Sequence, residues 1–339
     1  MKYLPYILIV LVIFLSAGFY IDSTQLDGMS AKPQVSNNLT PAPEFVGISR
    51  WLNLPAEKAG PLTLNKLRGK VVLVDFWTYS CINCIRTLPY VTKWYDTYKD
   101  QGLVVIGVHT PEFEFEKLTE NVERAIKRHG ITYPVGQDNT FSTWNAYQNR
   151  YWPAKYLIDQ NGQIVYTHFG EGKYEETENQ IRNLLKINNS IISDPTPTTG
   201  QVNSPEMYLG TNRIENLSAS QSTKATDFSF PQKLNLNEFA LQGKWQFNSE
   251  SVSCLENGCK LKLKFSAGKV HMVASSLLSV GLDITIDGNK QSSINISGSE
   301  LYTLFSGNYG EHELILELKP TAVEKIQKNF FDIFTFTFG

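Results

Sequence analysis

A strand that runs straight into a helix opening on two cysteines leaves this chain few choices of fold. Residues 71–74 (VVLV) form a short apolar run rich in β-branched side chains, which suits a strand buried on both faces. The chain then turns through Asp75, Phe76 and Trp77, reaches Cys81-Ile82-Asn83-Cys84, and continues with apolar residues at helical spacing through Leu88, Val91 and Tyr95. A cysteine at the mouth of a helix sits where unpaired backbone N–H groups and the helix dipole favour a thiolate. A second cysteine one turn on is close enough to resolve a mixed disulfide. The competing readings are a plain disulfide or half of a structural zinc site. Zinc would need two more Cys or His ligands at short spacing, and the remaining cysteines, Cys254 and Cys259, are far along the chain.

Asp75 lies six residues before Cys81, Trp77 four before it and Pro89 eight after it. With these offsets the stretch resembles the active-site region of thioredoxin-fold disulfide oxidoreductases. The strings DFWTYSCINC, GVHTPEFEFE (107–116) and RYWPAKYLID (150–159) narrow the resemblance to TlpA-like reductases and the thioredoxin-like domain of DipZ-type proteins. It runs from about Leu52 to the end of the sequence.

The resemblance implies that Cys81 attacks, Cys84 resolves and Asp75 handles the proton, with a cis Pro153 facing the dithiol. Burial on a strand would raise the pKa of Asp75, as a base for Cys84 requires. Trp77, Trp152, Gly170 and Glu112 are placed on the substrate side. Trp152 could equally be a lid or core, Glu112 a solvated loop residue, and Gly170 an ordinary turn glycine. His109 and His168 are isolated and read as structural. No cofactor beyond the Cys81–Cys84 disulfide is implied.

A chain of 339 residues predicts two folded domains, and a net charge of −2 offers no electrostatic case for nucleic acid. Residues 3–21 are almost wholly apolar, with Lys2 before them and Asp22 after. They read as a cleaved signal peptide or an uncleaved anchor. The bulky Leu15 makes Leu15-Ser16-Ala17 a poor cleavage site, which favours the anchor. Either way the remainder is expected to be exported, in the periplasm or cell envelope. Residues 22–44, with three prolines, read as a tether.

A first domain is expected over 45–187, α/β and thioredoxin-like. Apolar strands at 71–74 and 103–108 flank the cysteine-bearing helix, and helical spacing follows over about 118–128. A short helix at 141–147, a hairpin about Gln160-Asn161-Gly162 and a closing helix over 175–185 complete it. Residues 188–204 read as a linker.

From 205 to 339 the apolar period becomes two: Leu261, Leu263 and Phe265; Val280, Leu282, Ile284 and Ile286; Leu314, Leu316 and Leu318; Phe334, Phe336 and Phe338. Many short alternating strands predict an all-β sandwich. The 237–245 stretch and the terminal FTFTFG resemble the C-terminal domain of DipZ-type proteins, which is similar to carbohydrate-binding modules. Trp245, Tyr302 and Tyr309 could stack on a sugar or form core, which makes an envelope glycan a candidate partner. Cys254 and Cys259 read as a local structural disulfide in an oxidising compartment, or as a second redox pair.

The whole reads as an exported, membrane-tethered thiol–disulfide oxidoreductase acting on disulfide-bearing or thiol proteins. The resemblance further implies a separate membrane electron donor of the CcdA/DsbD type, since DipZ-type proteins carry a multi-span electron-carrying domain that one apolar run cannot replace. The rival is an envelope glycan-binding protein with the thioredoxin-like part as scaffold.

Overall fold

The computed structural model describes residues 40–54, 60–188, 190, 192, 202–319 and 330–339. The apolar run at 3–21 and most of the expected tether lie outside these residues. No helix among the described residues is long and apolar enough to cross a membrane.

The first half is a seven-stranded sheet of β1 (Thr40–Pro41), β2 (Arg50–Leu52), β3 (Val71–Trp77), β4 (Leu103–His109), β5 (Val135–Gln137), β6 (Ala154–Ile158) and β7 (Gln163–Phe169), in the order β1-β7-β6-β3-β4-β5-β2. Strands β3, β4 and β5 run parallel, and the remaining pairings are antiparallel. Every residue of β3 is buried, because helices cover both faces of the sheet there. The period of two then sorts its side chains. Val71, Leu73 and Trp77 enter one core with the helix α1 (Ile82–Tyr98), while Val72, Val74 and Phe76 enter a second core on the other face. Asp75 shares the parity of the first set and so belongs to the α1 face. The buried stripe of α1 runs through Cys84, Leu88, Val91, Trp94 and Tyr98, leaving Tyr95 half-buried instead of the expected core residue. Helices α2 (Thr119–Arg128), α3 (Ser142–Ala146) and α4 (Tyr174–Leu185) complete this half.

The sheet starts earlier than the sequence suggests. Thr40 and Pro41, assigned to the tether, pair with Ile164 and Gln163 of β7. Just beyond, the Glu44 carboxylate accepts hydrogen bonds from the amides of Leu64 (2.7 Å) and Asn65 (2.9 Å). Polar, proline-containing chain can be ordered in this way because its backbone groups are satisfied at a sheet edge without apolar burial.

The second half is β-rich: β8 (Met207–Tyr208), β9 (Asp227–Phe228), β10 (Phe239–Phe247), β11 (Val252–Cys254), β12 (Lys260–Ile286), β13 (Asn289–Lys290), β14 (Ile294–Leu318) and β15 (Phe331–Phe338). The runs expected as separate short strands are joined. β12 and β14 span 27 and 25 residues and pair along most of their length, with register shifts at 267/269 and 276/280. One stretch of β12 pairs with β10 and another with β15, so the hydrogen-bonded network doubles back around a single core that includes Phe239, Leu261, Leu282, Leu316 and Phe336. The linker expected over 188–204 is tied down at its end, where the amides of Asn203 and Ser204 donate to the Ser266 carbonyl.

Both halves belong to one compact unit, Asn38–Gly339. They meet through an aromatic plug: Phe334 of β15 lies 5.1 Å from the Phe113 ring and 4.8 Å from the Phe115 ring, with Val273 alongside. Around the plug, the Glu112 carboxylate accepts from Tyr208 Oη (2.7 Å) and Arg213 Nη1 (2.8 Å). The Arg213 guanidinium also lies 3.7 Å over the Tyr208 ring, and Arg128 pairs with Glu300.

Candidate active site

Strand β3 ends at Trp77, and residues 78–80 carry the chain into α1, whose N-cap is Cys81. The Cys84 amide donates to Cys81 Sγ at 3.3 Å, so one of the helix's orphan N–H groups is aimed at the sulfur. Cys81 is half-exposed and Cys84 fully buried, and both are free thiols in this structure. Burial pushes the Cys84 thiol well above its ordinary pKa. The Cys81 sulfur and the Asp75 charge push it the same way, against a backbone hydrogen bond at Thr78.

Asp75 is fully buried beneath this pair, and neither carboxylate oxygen has a hydrogen-bond partner among the described residues. Burial raises its pKa to about 7, with Lys155 pulling it back. Lys155 is the residue opposite Asp75 in the β3–β6 register, is itself fully buried, and places Nζ 3.4 Å from the Gly170 carbonyl. Burial depresses its pKa while Asp75 opposes that.

Trp77 does not reach the substrate side. It is fully buried with its ring edge-on to His109, because the parity that turns Asp75 toward α1 turns Trp77 into the same core. His109 is fully buried and held neutral, its pKa pushed down to about 3 by burial. His168 is half-buried against the Glu171 carbonyl. Both places suit the structural roles expected of them.

The Trp152–Pro153 bond is cis. The Trp152 indole N–H donates to the Thr110 carbonyl (3.0 Å) and its ring lies 4.3 Å from that of Trp144, so one edge is fixed while the other faces the site. Gly170 donates its amide to the Pro153 carbonyl at 2.8 Å and has φ +82°. A Cβ there would meet no atom of this chain within 4 Å, so within the chain it is the backbone angle that calls for glycine.

Among the acidic residues after β4, Glu112 is engaged across the two halves, as described above. The one beneath the site is Glu116, which sequence reasoning did not single out. It is fully buried, accepts from Ser80 Oγ at 2.5 Å and from the amides of Glu112 (2.5 Å) and Phe113 (3.1 Å), and its pKa is raised to about 7 by burial and by Glu112. Glu116 thereby ties the residue before Cys81 to the loop that the β-rich half grips.

Cys81 opens into a cavity of about 420 Å³. The first half lines it with Ser80, Asn83, Glu112, Arg150 and Trp152, and the β-rich half with Ser204, Tyr208, Arg213, Val273, Thr335 and Thr337. Half of this wall was invisible to motif reasoning, because the residues that supply it belong to no local motif and lie more than a hundred positions from Cys81.

Away from the cavity, Cys254 and Cys259 form a disulfide. Trp245 is core at 1% exposure, with its indole N–H on the Gln242 carbonyl, so it is not available for stacking on a sugar.

A dithiol of unequal burial on a helix N-terminus, with a buried carboxylate acting on Cys84 and a cis Trp152–Pro153 bond whose tryptophan lines the same cavity, fits a thiol–disulfide oxidoreductase site. Comparison with known proteins agrees. Residues 41–167 match the AhpC/TSA family and residues 204–339 the thioredoxin like C-terminal domain. Protein DipZ of Mycobacterium tuberculosis is 39% identical over 309 residues, covering 88% of this chain and 43% of that protein. The thiol-disulfide oxidoreductase YkuV of Bacillus subtilis is 32% identical, covering 43% of this chain and 94% of that protein. A solved structure of a putative thiol:disulfide interchange protein DsbE from Chlorobium tepidum is 27% identical with a TM-score of 0.37, covering 43% of this chain and 96% of that one. The chain belongs to the thiol–disulfide oxidoreductases of TlpA/DipZ-like type. It spans less than half the length of the DipZ relatives it matches.

Proposed function

We propose that the protein is an exported, membrane-tethered reductase of disulfides in other proteins. The reading rests on one observation: Cys81 faces a cavity while Cys84 lies behind it, sealed in the core with Asp75. The Cys81 thiolate attacks one sulfur of the client disulfide, forming a mixed disulfide and releasing the client's other sulfur as a thiolate. Cys84 gives its proton to the Asp75 carboxylate and attacks Cys81 Sγ. That breaks the mixed disulfide, releases the second client thiolate and leaves Cys81–Cys84 oxidised, so two electrons have passed to the client. A carboxylate with a pKa near 7 is suited to taking and returning that proton at neutral pH. Trp152 and Pro153 present the client beside Cys81.

Ile82 and Asn83 place no cation between the cysteines, which favours the reducing end of the roughly −270 to −120 mV range for such dithiols. A dithiol donor in the membrane, of the CcdA/DsbD type, would restore the reduced form. Export is supported by the apolar run at 3–21 and by the Cys254–Cys259 disulfide, a bond at home in oxidising compartments.

The test is acid quenching of growing cells followed by thiol labelling, with Cys254 and Cys259 replaced so that only the CxxC is read. A largely reduced Cys81–Cys84 pair is expected. A pair found oxidised while the membrane donor is present would make the protein an oxidase or isomerase.

A further inference from the structure

The cavity over Cys81 is walled on one side by the β-rich half, which contributes neither cysteine of the Cys81–Cys84 pair. Tyr208 and Arg213 are held in that wall by Glu112, and the Phe334 plug fixes β15, whose Thr335 and Thr337 face the same space. A folded protein docking face to face on a redox site covers about 800 Å² of each partner. A cavity of about 420 Å³ lies at the lower end of the roughly 300–1,000 Å³ range of small-ligand pockets. Only a few residues of chain fit into it. Deepening the reductase reading, on which this rests, we propose that the β-rich half is the specificity element of the site: it admits a disulfide carried on an extended, unfolded stretch of client and excludes the same bond on a folded surface.

The experiment holds the bond constant and varies only the bulk. Two substrates carry the same cysteine–glutathione disulfide, one on a short unstructured peptide and one at an exposed cysteine of a small folded protein. Each is mixed with excess reduced full-length protein in single turnover. Cys81 forms a mixed disulfide with the carrier as glutathione leaves, and Cys84 then releases the carrier thiol. Each rate is divided by the rate of the same substrate with free dithiothreitol, which cancels intrinsic reactivity. The peptide is expected to exceed the folded carrier by about tenfold or more, a difference of about 1.4 kcal/mol. Arg213→Ala, which removes one of the two side chains that tie the wall to Glu112, is expected to shrink that ratio. Val202→Trp, at an exposed residue lining the cavity, is expected to slow the peptide by a larger factor than it slows alkylation of Cys81 by iodoacetamide. A ratio near one in the native protein, or a peptide rate indifferent to Val202→Trp, overturns the proposal. Failure of both substrates to react faster than with dithiothreitol would instead remove the reductase reading itself.

Discussion

At the scale of single residues, the two cysteines differ by burial more than by anything in their sequence. Cys84→Ser should accumulate mixed disulfides between Cys81 and client proteins, visible as thiol-sensitive bands on non-reducing gels, and Cys81→Ser should not; the reverse pattern exchanges the roles. Asp75 offers a second test, with a definite sign. Its pKa is raised from 3.8 to about 7, so between those values the folded protein holds a proton that the unfolded chain has lost. Its contribution to stability is therefore harmless below about pH 4, becomes increasingly unfavourable as pH rises to about 7, and is constant above that. Asp75→Asn should raise stability by about 2–4 kcal/mol at pH 8 and by almost nothing below pH 4, as read from urea midpoints across that range. The same variant should slow turnover and lose the rise in rate near pH 7, since Lys155, Cys84 and Tyr133 around it provide no substitute acceptor. The dithiol, Asp75 and Pro153 were legible because each sits at a fixed offset in a local motif. Glu116 was not. In EFEFE the three glutamates look alike, and which of them is buried depends on where Phe113 and Phe115 find their partner in the other half.

At the scale of elements, long strands with strong patterning announced themselves and short ones did not. Strands β1, β2 and β5 have two or three residues each and no run in which alternation could show. Strands β12 and β14 failed in the opposite sense. The runs expected as separate short strands are joined through irregularities, such as the one around Leu277 at 80% exposure, that lie inside continuous strands. The Cys254–Cys259 bond closes a loop of sequence separation 5 between β11 and β12. Chain-entropy arguments give such a short loop about 2 kcal/mol. Replacing both cysteines with serine should cost about that much in thermal unfolding of the purified protein. The single-turnover rate of the Cys81–Cys84 pair should stay the same, and a changed rate would point to a second redox centre.

At the scale of the whole molecule, the two halves are coupled through few residues. Phe334→Ala removes the ring that packs against the stacked Phe113 and Phe115 and should cost about 3 kcal/mol. Calorimetry should then resolve two transitions, against a single one expected for the native protein. A single transition shifted as a whole would mean that the remaining contacts suffice to keep the halves cooperative. The long separation in sequence between Cys81 and Thr335 has a further consequence, in time rather than space. Domains emerge and fold from the N-terminal side during synthesis, so the sheet that carries the dithiol is complete roughly a hundred and fifty residues before β15 arrives to wall it. A chain that folds in that order presents Cys81 before its wall is built, and on the proposal above it would react without selection for that interval.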